Sequence, residues 1–249
     1  MNDLKGRVAL VTGGGRDVGA GISKMLAEHG ASVAVNYHSS KADAEAVVAE
    51  IAKAGGRAKA YQADIADADV VKAMVANIKN DFGGLDILVN NAGLVFRKRF
   101  SESAPEDWKK QIDICLYGAL NCSHSAGPLL EASGRGRIIS FVGDSSRVGE
   151  SGLALAAAAR AGTIALMKSL AREWGKSGVT ANSISLGLIE TAHEKSWVDA
   201  NREKLVKAYA IRRLGLPSDL APLVTLLASD AGSWITGQVI SVNGGYSMV

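Results

Sequence analysis

The sequence predicts a doubly wound α/β fold, built as a single domain over residues 1–249 with a seven-stranded, mostly parallel sheet covered by helices on both faces. Three observations predict it. Short apolar runs alternate with longer amphipathic segments, glycine-rich turns separate many of them, and the first run leads directly into a glycine cluster and a helix. A chain of 249 residues can bury one substantial core without a second domain.

The first half of the chain is predicted to form three strand–helix units. The strands are predicted at 7–12, 32–36 and 57–62, and the helices that follow them at 20–29, 41–54 and 67–82. Gly55-Gly56 and Gly83-Gly84 supply the ends of the second and third helices. This alternation is typical of parallel strands joined by helical crossovers.

The second half continues the alternation from a fourth strand that runs into Asn90-Asn91-Ala92-Gly93. Strands are predicted at 87–89, 137–142, 180–185 and 238–242, and helices at 105–128, 153–174 and 217–227. The polar segment 187–213 is too long for a simple connection. We therefore predict an irregular lid or binding loop there.

Composition excludes several classes of function. The 28 Lys and Arg residues are interspersed with the 25 Asp and Glu residues, and the net charge is +3. The absence of basic clusters in the sequence argues against nucleic-acid binding. No export signal and no run of about 18 apolar residues is recognised, so we expect no membrane association. Cys115 and Cys122 lie on one predicted helix and cannot bridge each other, which favours a reducing cytoplasm. His193, between Glu190 and Glu194, is interpreted as part of a solvated loop, and no metal site is expected.

The glycine cluster at Gly13, Gly14 and Gly15 lies between a predicted strand and a predicted helix. Such a turn lets backbone N–H groups and a helix N-terminus face a phosphate, because glycine removes the Cβ that would block close approach. A purely structural turn remains the alternative.

Four groups of residues together resemble a known family. They are Thr12-Gly13 with Gly19, the pair Asp64-Ile65, the turn Asn90-Asn91-Ala92-Gly93, and Ile235-Thr236-Gly237 through Gly244-Gly245. The chain resembles the short-chain dehydrogenase/reductase family, and most closely its 3-oxoacyl-acyl-carrier-protein reductase type. The resemblance implies a Rossmann-type fold and hydride transfer between NAD(P)H and a carbonyl carbon, with a tyrosine, a lysine, a serine and an asparagine as the catalytic tetrad.

All four tetrad positions carry other residues in this chain. The tyrosine falls on Ala156, the lysine on Arg160, the serine on Gly143 and the asparagine on Cys115. In the family the lysine cation stabilises the anion of a phenol whose ordinary pKa is about 10. Arg160 keeps a positive charge but does not relay protons. A small loop shift could bring Ser145 or Ser146 to the serine position, and Asp144 is considered as a substitute acid.

The resemblance also implies a damaged cofactor site. Asp17 replaces the middle glycine of the phosphate turn, Leu186 replaces a proline, and no acidic residue follows the second strand, whereas Arg16 could face a 2′-phosphate. We expect NADP rather than NAD, with impaired binding, and a collapsed, empty pocket as the alternative. The candidate cofactor-binding residues, if the site is retained, are Gly13, Arg16, Asp17, Gly19, Asn36, Asp64, Ile65, Asn91, Ala92, Gly93 and Thr191.

These expectations favour a catalytically silent subunit that supports an active homologous oxidoreductase acting on a hydroxyacyl-CoA or a similar alcohol or ketone. Two-subunit hydroxyacyl-CoA dehydrogenases are the nearest resemblance, and a homotetramer is equally compatible. The expected assembly faces are Ile114, Ala119 and Leu120 on the helix 105–128 and Ala157, Ala158, Ala161 and Ala165 on the helix 153–174.

Two other functions stay open. The main alternative is an NADP-dependent carbonyl reductase or alcohol dehydrogenase that works without the tetrad, and a non-redox lyase or isomerase is a further one. The lid cations would suit a phosphorylated carrier such as coenzyme A; they are Lys195, Arg202, Lys204, Lys207, Arg212 and Arg213.

Overall fold

The computed structural model describes residues 3–191 and 195–249. Its seven strands are β1 (Val8–Val11), β2 (Ser32–Tyr37), β3 (Arg57–Gln62), β4 (Ile87–Asn90), β5 (Arg137–Gly143), β6 (Thr180–Leu186) and β7 (Val239–Val242). They form one sheet in the order β3-β2-β1-β4-β5-β6-β7, and every pair is parallel. The strand order reverses between β1 and β4, which places a ligand crevice at the carboxyl ends of these strands. The predicted fold class is confirmed.

Helices cover both faces of this sheet. They are α1 (Asp17–Glu28), α2 (Lys41–Lys53), α3 (Ala68–Phe82), α4 (Pro105–Ile112), α5 (Gly118–Ala132), α6 (Ser145–Val148), α7 (Ala154–Trp174), α8 (Lys195–Val206) and α9 (Pro217–Ala228). The side chains of a strand alternate between its faces. Ala9 and Val11 of β1 accordingly join the core under α1, α2 and α9, whereas Val8 and Leu10 join the core under α3, α5 and α7.

The predicted helix 105–128 is in fact two helices joined by a wider turn. A π-helical turn at Asp113–Tyr117 lies between α4 and α5, with the N–H of Gly118 donating to the carbonyl of Asp113. Such turns insert one extra residue into a helix and are frequent at functional sites. Cys115 lies inside this turn.

The prediction that segment 187–213 is irregular was wrong for its central part, because α8 occupies Lys195–Val206. Val198 of α8 is buried with Tyr209 and Leu214 in a small cluster separate from the two main cores. The segment is mostly polar, but the few apolar residues in this cluster bury enough surface to hold α8 in place. The start of α1 was also misplaced, since the helix begins at Asp17 and not at Ala20.

Helix α7 with its following turn, Ala154–Ser177, is long and apolar enough to cross a membrane by length and composition alone. In the structure α7 lies against β5 and β6 and contributes Met167, Leu170 and Ala171 to the core. Its outer face carries exposed alanines, among them Ala158, Ala161 and Ala165. The apolar character of α7 therefore belongs partly to the sheet-facing side and partly to a surface of small residues.

Candidate functional site

The glycine turn after β1 is shaped for close backbone packing. Gly13 has a positive φ of 59°, and a Cβ on Gly19 would lie 2.1 Å from the carbonyl oxygen of Gly13. The side chain of Asn91 holds the turn from the other side, because its Nδ2 donates to the carbonyl of Thr12 (2.9 Å). Only glycine fits at position 19, and the turn keeps the close helix–strand packing of a phosphate-binding loop.

Asn36, at the end of β2, supports this turn from inside the protein. Its side chain is 2% exposed, its Oδ1 accepts from the N–H of Gly13 (3.2 Å), and its Nδ2 donates to the carbonyl of Ala63 (3.1 Å). The side chain of this predicted cofactor-binding residue is therefore engaged by the chain's own backbone.

Asp17 and Arg16 stand at the start of α1. Asp17 has a φ of 51° and is the one non-glycine residue with positive φ in the part of the chain that the structure describes. Its half-buried carboxylate lies at a helix N-terminus, whose partial positive charge it already offsets. The exposed side chain of Arg16 makes no hydrogen bond or ion pair within residues 3–191 and 195–249.

The ends of β3 and β4 complete the crevice. The carboxylate of Asp64 is 46% exposed and accepts from the N–H of Ala66 (3.0 Å), while the Ile65 side chain packs against Gly118. Thr12 holds the turn after β4 in place, because its Oγ1 accepts hydrogen bonds from the N–H groups of Asn91 and Ala92, both at 3.0 Å.

Two of the four tetrad positions meet at the end of β4. Cys115 and Arg160 line one small cavity of about 10 Å³, together with Thr12, Ile65, Asn90, Ala92, Ala119, Phe141 and Thr163. The Cys115 thiol is 7% exposed and accepts from Gln111 Nε2 (2.9 Å) and from the N–H of Leu94 (3.4 Å). A space of this size holds about one water molecule.

The other two tetrad positions do not open into this cavity. Ala156 is buried at 2% exposure, so its methyl group lies under other atoms and not on an open cleft wall. Gly143 has room for a side chain, since an added Cβ would lie 3.5 Å from Ser145 Oγ. Ser146 Oγ donates to the carbonyl of Gly143 (2.6 Å), so this hydroxyl serves the backbone of the loop.

Arg160 extends its guanidinium across the crevice. One of its terminal nitrogens lies 2.5 Å from the point that a Cβ on Gly93 would occupy, so the guanidinium is in direct contact with the Gly93 backbone. Among the described residues it has no hydrogen-bond or ion-pair partner. Asn90 Oδ1, on the same cavity, is likewise buried without a partner.

The substitute acid considered above, Asp144, is committed elsewhere. Its side chain is 3% exposed, and its two carboxylate oxygens accept from Ser185 Oγ and Asn243 Nδ2, both at 2.6 Å. Asp144 does not line the cavity of Cys115 and Arg160. Its hydrogen bonds join β5, β6 and β7 at their carboxyl ends.

The lid segment is held by ion pairs. Arg202 of α8 pairs with both carboxylate oxygens of Glu190, at 2.8 and 2.6 Å, and these hydrogen bonds lower the pKa of Glu190. The other lid cations with acidic partners are Lys195 with Asp199, Lys207 with Glu203, and Arg213 with Asp219. This pairing weakens the expectation that they bind a phosphorylated carrier. Thr191 is the last described residue before a gap, and His193 and Glu194 lie outside the described residues.

Sequence reasoning missed several residues that organise the site. Gln111 lies four positions before Cys115 and bonds both its thiol and the carbonyl of Leu94 (2.7 Å). Thr163, one helical turn after Arg160, donates to the carbonyl of Cys115 (3.0 Å). The i, i+4 spacing of Gln111 and Cys115 was a signal in the sequence. The contact between Thr163 and Cys115 needed the tertiary structure.

A glycine turn at the strand-order switch point, with a hydrogen-bonded polar turn beside it, is the arrangement typical of nucleotide-binding α/β proteins. The profile of a family described as enoyl-(acyl carrier protein) reductase matches residues 14–247. A 3-oxoacyl-[acyl-carrier-protein] reductase FabG of Staphylococcus aureus is 42% identical over 240 residues, which cover 96% of this chain and 98% of that protein.

Two further comparisons agree. An NADPH-dependent aldehyde reductase-like protein, chloroplastic, of Arabidopsis thaliana is 36% identical, with 98% of this chain and 95% of that protein covered. A solved short-chain dehydrogenase/reductase from Serratia marcescens superposes with a TM-score of 0.93 at 34% identity, covering 98% of this chain and 99% of that one. The chain therefore belongs to the short-chain dehydrogenase/reductase family, an oxidoreductase family whose members typically bind NAD(P).

Proposed function

We propose that this chain is a catalytically silent member of its family that supports an active homologous oxidoreductase subunit in the cytoplasm. The substrate of the assembly would be a hydroxyacyl-CoA or a similar alcohol or ketone. One observation carries this proposal: position 156 on α7 bears a buried methyl group where proton transfer requires a phenol.

No other described group replaces that phenol. The tyrosines are Tyr37, Tyr61, Tyr117, Tyr209 and Tyr246, and none lies on α7. Asp144 has both oxygens hydrogen-bonded and lies outside the cavity of Arg160, and the guanidinium of Arg160 is not a group that relays protons. Within residues 3–191 and 195–249, no phenol on α7 and no free carboxyl group beside Arg160 is therefore placed to give a proton to a carbonyl oxygen.

The residues fit NADP in part. NADPH would supply the hydride for reduction of a carbonyl, and Gly13, Gly19, Arg16 and Asp64 would hold its adenosine and phosphates. Asp17 places a carboxylate where the phosphates would lie, and the Arg160 side chain leaves only about 10 Å³ at the end of β4. We therefore propose impaired NADP binding.

The supporting role rests on the outer faces of the helices. Ala158, Ala161 and Ala165 are exposed on α7, whereas Ala119 is buried and Ile114 and Leu120 are half-buried. Small side chains allow two helix backbones to approach closely. We propose that these faces pack against a homologous chain in a mixed tetramer, with self-assembly as the competing outcome.

Co-expression with a homologous chain that keeps its tyrosine tests the proposal. Native mass measurement should show a mixed complex, and Ala161→Arg should reduce it to separate species, whereas Lys168→Arg on the same helix should not. NADPH oxidation with acetoacetyl-CoA should be absent from this chain alone. In the complex it should disappear when the homologue's tyrosine is replaced by phenylalanine. Loss of a general acid lowers the rate by about 10² to 10⁴. A turnover rate of the purified chain within about 10²-fold of the rate of the complex would therefore contradict the proposal that the chain is catalytically silent.

A second candidate is an NADPH-dependent carbonyl reductase that works without the tetrad. It is favoured by the unpaired, exposed Arg16 beside the glycine turn, which suits a 2′-phosphate. It also agrees with the Arabidopsis relative, an NADPH-dependent aldehyde reductase-like protein. The same turnover measurement on the purified chain separates the two candidates.

A further inference from the structure

The crevice at the carboxyl edge of the sheet has two halves, one on each side of the switch point between β1 and β4. In a doubly wound fold each half takes one nucleotide, with the pyrophosphate at the first glycine turn and the first ribose near the end of β2. The second nucleotide then belongs at the ends of β4 and β5. Asn90, Gly93 and Arg160 lie there.

Arg160 reaches into this second half. Its guanidinium touches the Gly93 backbone, and the cavity that it lines has a volume of about 10 Å³. A nicotinamide riboside is many times larger than the single water that such a space holds. The second half can admit a nucleotide only if the Arg160 side chain first swings out of it.

A second observation on the same cavity explains why the closed position is favourable. Asn90 is 7% exposed, and its Oδ1 has no hydrogen-bond partner in the described chain. An unpaired buried acceptor and the unpaired donors of Arg160 thus face one cavity of about one water molecule. A water bound in this cavity would be able to hydrogen-bond both groups and so stabilise the inward position of the guanidinium.

The first half of the crevice differs, since its groups remain accessible. Arg16 is exposed and has no hydrogen-bond or ion-pair partner within residues 3–191 and 195–249, and the side chain of Asp64 is 46% exposed. A guanidinium in this position offers paired donors to a phosphate on the adenosine ribose. The two halves therefore have opposite character, one accessible and basic, the other filled by the chain itself.

We propose that Arg160 acts as a gate on the second half of the crevice, so that the chain binds an adenosine nucleotide with a ribose phosphate and excludes the remainder of a dinucleotide. This inference rests on the proposed function, because a chain that transfers hydride needs the second half open.

Calorimetry with adenosine 2′,5′-bisphosphate and with NADPH tests the gate. The two dissociation constants should agree within about threefold for the unaltered chain, because the second nucleotide adds no contact. Arg160→Ala should lower the dissociation constant of NADPH by about tenfold or more and leave that of the bisphosphate unchanged. This is the change expected when the Arg160 side chain occupies the second half in more than about 90% of the molecules. Arg172→Ala, at the exposed end of the same helix, should change neither ligand.

Three results would overturn the gate. They are a preference of the unaltered chain for NADPH above about tenfold, no binding of the bisphosphate, or an unchanged NADPH affinity in Arg160→Ala. If Arg160→Ala fails to fold by circular dichroism, Arg160→Met keeps the aliphatic stem and gives the same comparison. Tight NADPH binding without turnover would end this inference and the proposal of impaired NADP binding, and it would leave the proposed catalytic silence standing. Turnover by the purified chain would end the proposed function.

Discussion

Asp230 connects two buried arginines at the amino-terminal edge of the sheet, far from the crevice. Arg7 and Arg137 are each 2% exposed, and one carboxylate oxygen of Asp230 contacts Arg7 directly and Arg137 at 3.5 Å. The remaining guanidinium contacts are to backbone carbonyls, such as those of Ala228 and Ser229 at 3.2 Å. We predict that Asp230→Ala destabilises the fold through these two cations.

The magnitude follows from what remains after the carboxylate is removed. Breaking a fully buried ion pair costs about 3–5 kcal/mol. The side chain of Asp230 is 78% exposed, so water can replace it, and each guanidinium keeps its carbonyl partners. A single hydrogen bond to a charged group is worth about 1.5–3 kcal/mol. We expect Asp230→Ala to lower the free energy of unfolding by about 2 kcal/mol and Asp230→Asn by about half of that.

Urea unfolding followed by circular dichroism at pH 7 and one fixed protein concentration measures this change. Asp199→Ala is the matched control, since Asp199 pairs with Lys195 and Arg202 on the surface, and it should cost less than about 0.5 kcal/mol. If Asp230→Ala lowers the free energy of unfolding by less than about 0.5 kcal/mol, the reasoning is refuted, because the carboxylate would then contribute no more than a surface ion pair does.

The pH dependence gives an independent check on the same contact. The hydrogen bond from Arg7 is the main cause that lowers the pKa of Asp230. A carboxyl group with a lowered pKa stabilises the folded state fully above its unfolded pKa of about 3.9, and this contribution is lost as the pH falls through the folded value. The stability difference between the unaltered chain and Asp230→Asn should therefore shrink below about pH 4.

Three further predictions concern the crevice and its lid. Asp17→Gly should strengthen the binding of adenosine 2′,5′-bisphosphate and NADPH equally, because it removes a like charge at the phosphate turn, where glycine also adopts the positive φ without strain. Calorimetry showing weaker or unchanged binding would rule out Asp17 as the cause of impaired binding. Ala156→Tyr alone should give no carbonyl reduction and should lower the free energy of unfolding by about 1–3 kcal/mol, because a methyl group that is 2% exposed leaves no room for a phenol. An active variant of unchanged stability would contradict the burial of this position. The hydrogen bond from Arg213 lowers the pKa of Asp219 to about 2. The ion pair between Arg213 and Asp219 should therefore persist above about pH 4 and weaken as the pH falls toward 2. Hydrogen exchange at the start of α9 should become faster over this pH range in the unaltered chain but not in Asp219→Asn.

Strands and turns were predictable because their signals are local. The strand predicted at 57–62 agrees with β3, and the glycine turn after β1 was identified from Gly13, Gly14 and Gly15. Helix α8 was missed because its apolar residues are few. Val198, Leu205 and Val206 have the spacing of one helix face, yet what they pack against comes from Tyr209 and Leu214, later in the chain.

The candidate site was predictable in its residues but not in its arrangement. The sequence predicts, from the family it resembles, that Ala156, Arg160, Gly143 and Cys115 replace a tetrad. It could not show that Arg160 and Cys115 share a cavity that Ala156 and Gly143 do not line. The direction of the Arg160 side chain depends on Gly93, whose missing Cβ leaves room for the guanidinium. Such contacts join residues that are far apart in the chain, so local patterns do not report them.

The π-helical turn at Asp113–Tyr117 also fixes the length of the chain in this region. One residue of an α-helix corresponds to a rotation of about 100°, so removing any residue of the turn would rotate α5 by that angle relative to α4. Gly118, where a Cβ would lie 2.4 Å from Ile65 Cδ1, would turn away from Ile65, and a bulkier side chain would turn toward it. Substitutions in this turn are thus far better tolerated than deletions, and natural variation here should change residue identity while keeping residue number.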